Sequence, residues 1–565
     1  MKLHIDGHEI VAAPGQTLRQ LICALGLDCD TLPGNVLAAK LAGEIFNLNY
    51  IPVRASADHV ERESIRRAVA ASGGHVHLIR YADFGGRDVY MRTAQFVMFL
   101  ALHRLYPGVR VKMNCTVGGA LYVEVNTASF CTETLKQEVQ KIVLEDLPLI
   151  RKQMPTSEAV AYFLRQGQRD KAELLSWRES NDFSIYVHKD FADYYYGELA
   201  PSTGYLQVWD ILPAEGGFMF LFPDESNPMH VKQYENLPKF LSVSMEGQRW
   251  CELMNCENVA DLNKLVCNGG IRELIRVNEA LHEKRYSQIA DMICQRKARA
   301  VMLAGPSSSG KTTSANRLAT QLRVHGKKPV LLSLDDYYID RDKIPVGPDG
   351  VPDLEHIDTI DTQLFSAHVA ALLNGETVAL PRFNFVTGKR ECDGKELRLQ
   401  ENSVIIVEGL HALNPVLLPN GINEELVFKL YVSPLIPLNL DDHNRIPTSL
   451  LRLLRRIVRD YETRGASVQK TMSMWDSVRR GEQRWIFPYQ EKADVIFNSA
   501  TLYELAVLKK HIFPLLDRVE PEDEYYERVR AIVKVLNYVR EADVDDEIPP
   551  TSLVREFIGG NTFYR

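Results

Sequence analysis

The chain has 565 residues, 45% of them hydrophobic and 25% charged, with a formal net charge of −8. These values exclude a disordered or fibrous chain, a single ordinary core and a global basic field that would recruit nucleic acid. Roughly two to four folded domains are expected. No apolar run approaches the ~18 residues needed to span a bilayer. The opening Met1-Lys2-Leu3-His4-Ile5-Asp6-Gly7 lacks the apolar stretch of a signal peptide. A cytoplasmic protein without membrane contact is the expectation. The nine cysteines form no C-x-x-C pair, which suits reduced thiols better than a disulfide framework.

Residues 1–60 read as a small unit. Leu3 and Ile5, then Ile10 and Val11, mark two short strands joined by Asp6-Gly7, a hairpin pair. Thr17 is placed to cap a helix through Ala24, with Leu18, Leu21 and Ile22 on its apolar face. Leu37 to Glu44 reads as a strand and turn. This order resembles a TGS domain, the β-grasp module at the start of threonyl-tRNA synthetases.

Residues 61–270 extend that resemblance. An amphipathic helix is expected over Arg92–Leu105, closed by Tyr106-Pro107-Gly108, with strands over Val109–Met113 and Ala120–Val125. Ser157 to Phe163 and Pro201-Ser202-Thr203-Gly204 follow. The succession resembles the second additional domain of threonyl-tRNA synthetase, which edits mischarged tRNA. The family's His-x-x-x-His pair falls on Met91 and Gln95, and its Cys-x-x-x-His segment on Tyr195 and Leu199. None of these side chains supplies imidazole or thiolate, so the editing chemistry is expected to be absent and the shell to serve as scaffold or binding surface. His75 and His77 share one strand face with no third ligand in reach, and read as a surface pair. Cys251 and Cys256, in a strand-to-helix region, read as small buried hydrophobes. Residues 271–298 read as a packed connector helix, with Leu274, Val277, Leu281, Tyr286, Ile289, Met292 and Ile293 on one stripe.

Residues 299–515 carry the chemistry. Gly305-Pro306-Ser307-Ser308-Ser309-Gly310-Lys311-Thr312 has the Walker A spacing, G-x-x-x-x-G-K-[ST]. A strand (Ala300–Ala304) precedes it and a helix (Thr313–Leu322) follows, the context the motif requires. The glycines allow a tight turn, and the helix N-terminus favours phosphate. Gly305, Ser307, Ser308, Ser309, Gly310, Lys311, Thr312 and Thr313 form the expected ATP cradle. Lys311 reaches the β- and γ-phosphates, and the Thr312 hydroxyl can ligate Mg²⁺. Two further apolar strands end in acids: Pro329–Leu334 before Asp335-Asp336-Tyr337-Tyr338, and Ser403–Val407 before Glu408-Gly409. Such strands alternating with helices indicate a parallel sheet covered on both faces. Its ligand crevice lies at the carboxyl ends. One of Asp335, Asp336 and Glu408 can accept a hydroxyl proton while another helps hold Mg²⁺.

Walker A, the D-x-Y-Y element, His356-x-Asp358, Pro381-x-Phe383-x-Phe385, Glu408-Gly409 and an arginine-rich helix occur in one order. That order resembles the uridine kinase and phosphoribulokinase family of P-loop kinases. The whole chain resembles bacterial nucleoside kinases with a threonyl-tRNA-synthetase-like N-terminal half. The implied fold is α/β: a P-loop kinase with a parallel sheet, preceded by a β-grasp domain and an α+β domain. The resemblance places the catalytic base on Asp335 and an acidic substrate contact on Glu355, beside His356. It puts the residue stacked near the base on Phe383, substrate contacts at Asp336 and Tyr338, and Mg²⁺ at Thr312 and Glu408. The lid arginines fall on Arg456, Arg459 and Arg464, with Arg456 facing substrate and Arg459 and Arg464 the transferring group. The base-reading histidine falls on Gly388, a further arginine on Ala466 and a substrate glutamine near Met474. The phosphoryl-transfer parts are thus retained and the base-reading parts are not.

On the arginine-rich helix, Arg452, Arg455, Arg456 and Arg459 recur at three- and four-residue steps and share one broad face. On a mobile lid they would close over phosphate. Residues 516–565 read as an acidic helix and tail in which Phe557-Ile558-Gly559-Gly560 carries no chemical motif. The expected activity is ATP- and Mg²⁺-dependent phosphorylation of a small hydroxylic acceptor, a nucleoside first and a sugar or sugar phosphate second. The expected assembly is a homo-oligomer. No N-K-x-D guanine signature follows the P-loop. The rival from another class is an RNA-binding, nucleotide-switched regulator built on the N-terminal half.

Overall fold

The structure, a computed structural model, describes residues 2–27, 32, 34–41, 44–52, 73–83, 85–178, 181–346, 353–384, 387–391, 394–418 and 422–563. The chain divides into two compact units. One comprises Met1–Asn236 with Leu440–Arg445 and Arg530–Tyr538, the other Leu237–Asn439, Ile446–Val529 and Val539–Arg565.

The first unit opens with the hairpin Lys2–Ile5/His8–Val11. Its turn places Asp6 at φ 42° and Gly7 at φ 85°, the left-handed pair that matches strand twist. The sheet runs His8–Val11, Lys2–Ile5, His75–Ile79, Ala38–Leu41, Glu44–Phe46, so its central strand lies beyond residue 60. Thr17 and Gln20 form a reciprocal capping box on the helix Leu18–Ala24. Leu18, Leu21 and Ile22 are buried with Leu3 and Ile5. His75 and His77 are exposed.

The long helix begins at Gly86, six positions before the expected Arg92, and ends at Leu105. A Cβ at Gly86 would lie 1.8 Å from the Arg80 carbonyl oxygen, so only glycine fits this entry. The helix is buried nearly all round, from Val89 and Tyr90 through Phe96–Leu102, rather than amphipathic. It shares a core with the antiparallel sheet Asp210–Ala214, Gly217–Leu221, Ala120–Val125, Val111–Val117. The last of these strands starts two residues later than expected, because Tyr106–Val109 closes a hydrogen-bonded turn. Met91 and Tyr195 pack against this core, Leu199 is wholly buried and Gln95 is half-buried.

The unit also encloses charge. Lys171 and Asp193 are both 0% exposed and pair at 2.6 Å, and His443 Nδ1 stands 2.6 Å from the other Asp193 oxygen. The His443 ring stacks on Phe99 at 3.6 Å. Burial works against the Asp193 carboxylate, but Lys171 and His443 outweigh it and hold the carboxyl at about 2. Lys171→Met should leave Asp193 half-paired in a dry core and destabilise the unit by about 3–5 kcal/mol. A thermal melt superimposable on wild type would contradict this.

The second unit is built on five parallel strands in the order Lys328–Ser333, Ser403–Glu408, Ala300–Ala304, Val427–Ser433, Val495–Asn498. Alternate residues of the central strand enter opposite cores. Met302 and Ala304 join one, and Val301 and Leu303 join the other. The second core takes Ala315, Leu318, Ala319 and Leu322 from helix Lys311–Val324, and Tyr286, Ile289 and Ile293 from helix Ile271–Gln295. Cys251 lies on a helix, Pro238–Leu253, not in a strand-to-helix region; it and Cys256 are wholly buried.

Candidate active site

The P-loop leaves the central strand at its carboxyl end. A Cβ at Gly305 would lie 2.2 Å from the Val432 carbonyl oxygen, while Ser308 (φ 58°) and Gly310 (φ 85°) take left-handed backbone. Three successive carbonyls are held from outside the loop. Arg452 Nε donates to Ser307 O at 2.9 Å, Arg455 Nη1 to Ser308 O at 3.3 Å, and Ser499 Oγ to Ser309 O at 2.6 Å. In a trans peptide the next N–H points the opposite way, so the Ser308 and Gly310 amides turn away from these clamps, while Ser309 N–H donates to Pro306 O at 3.2 Å. The Ser308 and Ser309 hydroxyls are buried without partners among the described residues. Lys311 Nζ donates to Pro306 O at 3.1 Å. Burial presses its ammonium below the usual range, against the pull of Glu408, Asp335 and Glu556.

Asp335 sits in the single turn Leu334–Tyr337 after its strand. Ser333 Oγ accepts from Asp335 N at 3.3 Å and donates to Glu408 Oε1 at 2.9 Å. One hydroxyl thus couples the two strand ends. Burial raises the Asp335 carboxyl, opposed by Lys311 and Arg464. Burial, then Asp335, pushes Glu408 up to about 7. Asp336 Oδ1 instead accepts from Phe383 N at 3.4 Å, fixing the hairpin Arg382–Asn384/Lys389–Glu391.

Near the P-loop, burial and then Glu482 push Glu355 up to about 7, and its Oε2 has no partner among the described residues. Gly481 permits this packing, since a Cβ there would meet Glu355 Cβ at 2.2 Å. His356 Nδ1 accepts from Asp358 N at 3.1 Å, and its ring lies 4.5 Å from Trp485, so it caps its own turn. Tyr338 and the buried Phe383 meet edge to face at 5.5 Å. At Gly388 (φ 69°) a Cβ would fall 3.0 Å from Arg341 Cβ. A side chain there would crowd Arg341 and strain the backbone. Phe385 lies outside the described residues.

The arginine-rich helix, Thr448–Arg464, separates its cations into two kinds. Arg452 and Arg455 are buried clamps: besides the P-loop carbonyls, Arg452 pairs with Glu482 and Arg455 with Glu504. They are not part of a phosphate-facing lid surface. Arg456, Arg459 and Arg464 gather on the buried Asp460 at 3.2, 2.8 and 3.4 Å. Arg456 also donates to Ser307 Oγ at 2.9 Å.

Three residues near the site stand in no sequence motif. Glu482 accepts from Ser307 N at 3.0 Å. His411 is buried with neither ring nitrogen partnered among the described residues, and burial holds it at about 4. Glu556 meets the P-loop helix. Only the burial of Glu482 against Arg452, on separate helices, could have signalled the first, and no spacing encodes it.

Residues 300–506 match the Phosphoribulokinase / Uridine kinase family. A uridine kinase of Halobacterium salinarum is 27% identical over 198 residues, covering 35% of this chain and 78% of that protein. One of Ligilactobacillus salivarius is 29% identical over 193 residues, covering 34% and 81%. A threonine–tRNA ligase of Carboxydothermus hydrogenoformans is 30% identical over 153 residues, 26% of this chain, which spans 24% of that ligase. The C-terminal part of the chain is thus a P-loop kinase domain of this family, and the N-terminal half is similar to threonine–tRNA ligases.

The raised Glu355 carboxyl sets a pH dependence. Between its unfolded value of 4.5 and about 7, the folded chain keeps a proton that the unfolded chain releases. That stability is therefore complete below pH 4.5 and lost as pH rises through 7, roughly 3 kcal/mol in all. Glu355→Gln should flatten the fall in melting temperature from pH 5 to pH 8; equal slopes in variant and wild type would contradict the assignment.

Proposed function

We propose that the second unit transfers the γ-phosphoryl of ATP to a hydroxyl of a small acceptor, the 5′-hydroxyl of a nucleoside in the first instance. The observation that carries this is Asp335, a half-buried carboxylate at a strand end that Ser333 Oγ links to Glu408, its charged form opposed by burial and favoured by the P-loop Lys311 and Arg464. In this reading Asp335 takes the proton of the attacking hydroxyl. Lys311 and the amides of Ser308 and Gly310 hold the phosphate chain, with Gly305, Ser307, Ser309, Thr312 and Thr313 completing the cradle. Arg456, Arg459 and Arg464 neutralise the charge that develops on the transferring group. Glu355, His356, Tyr338 and Phe383 line the acceptor side, and Asp336 positions the Phe383 hairpin. The Glu408 carboxyl, raised by burial beside Asp335, marks local negative charge that a divalent cation would relieve. Thr312 and Glu408 would hold Mg²⁺, which when bound supplies charge neutralisation on the phosphates.

The crowded Gly388 favours loose base selection or a sugar-type acceptor. A pocket that hydrogen-bonds a base edge can discriminate by ~10⁴, whereas a buried ring that only packs discriminates far less. An ADP-release screen over uridine, cytidine, adenosine, guanosine, inosine, free sugars and sugar phosphates tests this. The expected result is turnover with either purines and pyrimidines alike or a sugar-type acceptor. Strong selectivity for uridine and cytidine, lost in Phe383→Ala, would refute the loose-selection reading. ADP release that needs RNA and no small acceptor would favour the regulator. Lys311→Ala should cut turnover by roughly 10² or more with an apo melting temperature near wild type; near-normal turnover would refute the P-loop assignment.

A further inference from the structure

The tail segment Phe557-Ile558-Gly559-Gly560 carries no motif, yet the structure lays it over the P-loop helix. Leu553, Val554 and Phe557 are wholly buried, and Ser552 Oγ donates to Glu279 Oε1 at 2.7 Å. Leu553 joins the core behind the P-loop strand, and its Cδ2 lies 2.2 Å from where a Cβ on Gly310 would stand. Arg455 lies over the Phe557 ring at 4.8 Å. Gly559 (φ 86°) and Gly560 (φ 75°) then reverse the chain. The reversal returns Asn561 to Thr313, its Nδ2 donating to Thr313 Oγ1 at 3.5 Å.

These anchors present Glu556 to the helix Lys311–Val324. Thr313 N–H donates to Glu556 Oε2 at 3.2 Å, and the Thr313 hydroxyl donates to the same oxygen at 2.6 Å. Thr313 N–H is one of the first-turn amides that a helix cannot satisfy internally. In a P-loop these amides and the positive helix end receive the phosphates of a nucleotide. An acidic side chain from 243 positions downstream therefore places one anionic-type oxygen on an N–H and a hydroxyl that would otherwise be open to a phosphate oxygen.

We propose that Glu556 is an internal competitor for the nucleotide, a tail carboxylate that occupies a phosphate position and must be displaced for ATP to bind. The inference rests on the P-loop reading above. The displacement is local. Glu556 is only half-buried, so a rotation of its side chain vacates the amide, and the segment 552–562 then loses the Thr313 contacts that help to hold it down. The tail thereby sets nucleotide affinity: bound carboxylate lowers the fraction of competent sites, and apparent affinity falls by that fraction.

The test is MgATP and MgADP binding by calorimetry on the full chain and on Glu556→Gln, which keeps size and removes charge. The expected result is about tenfold tighter binding by the variant, with hydrogen exchange across 552–562 accelerating in the wild type when nucleotide saturates. Equal or weaker binding by Glu556→Gln would overturn the proposal, and weaker binding with reduced kcat would make Glu556 a ligand of substrate or Mg²⁺ instead. Should Glu556→Gln lack a cooperative melt, the wild-type exchange experiment decides, and unchanged protection on saturation overturns the proposal. Lys311→Ala separates the two readings. If it abolishes binding while Glu556→Gln matches wild type, the P-loop stands and the competitor falls. If wild type and both variants bind no nucleotide, both fall.

Discussion

The site depends on holding three successive P-loop carbonyls from outside the loop. A run of buried carbonyls costs free energy unless each finds a donor. Arg452, Arg455 and Ser499 are those donors, and each must itself be supported. Glu482 and Glu504 neutralise the two guanidinium groups in a nearly dry interior. Neither ion pair is a stability device by itself, since buried pairs roughly break even against desolvation. Their return is a preorganised loop backbone, two of whose neighbouring N–H groups, on Ser307 and Thr313, are held by Glu482 and Glu556.

A concentrated positive cradle attracts acids from the whole unit. Glu482 takes the Ser307 amide, Glu556 takes Thr313, and Asp335 and Glu408 crowd toward Lys311. Burial of so many carboxylates raises Glu355 and Glu408 to about 7. Perturbed groups gathered in this way are what a functional centre would require. The arginines of Thr448–Arg464 divide accordingly. Those facing the loop backbone are structural, and those nearer the helix end collect on Asp460.

Where a function needs local backbone chemistry, it was legible in the amino-acid sequence. The Walker spacing, the strands ending at Asp335 and Glu408, the Thr17 cap and the Asp6-Gly7 turn all act through neighbours in the chain. The parallel sheet followed from apolar runs alternating with helices. Long-range placements were not legible. Nothing in the spacing assigns Arg452 and Arg455 to carbonyls some 145 residues away, or brings His443 to Lys171. The stretch Arg92–Leu105 looked amphipathic, but the heads of Arg92 and Arg104 pair with Glu198 O and Glu138 while buried positions surround the helix Gly86–Leu105.

The central claim is that Asp335 serves transfer to a hydroxyl rather than nucleotide binding or folding. The most direct measurement is single-turnover transfer from γ-labelled ATP to an active acceptor in Asp335→Asn, with the ATP dissociation constant measured on the same sample. The account predicts label transfer slowed by roughly 10²–10⁴, at an ATP affinity within a few-fold of wild type. Transfer at the wild-type rate, or a loss explained wholly by lost ATP binding, would contradict it.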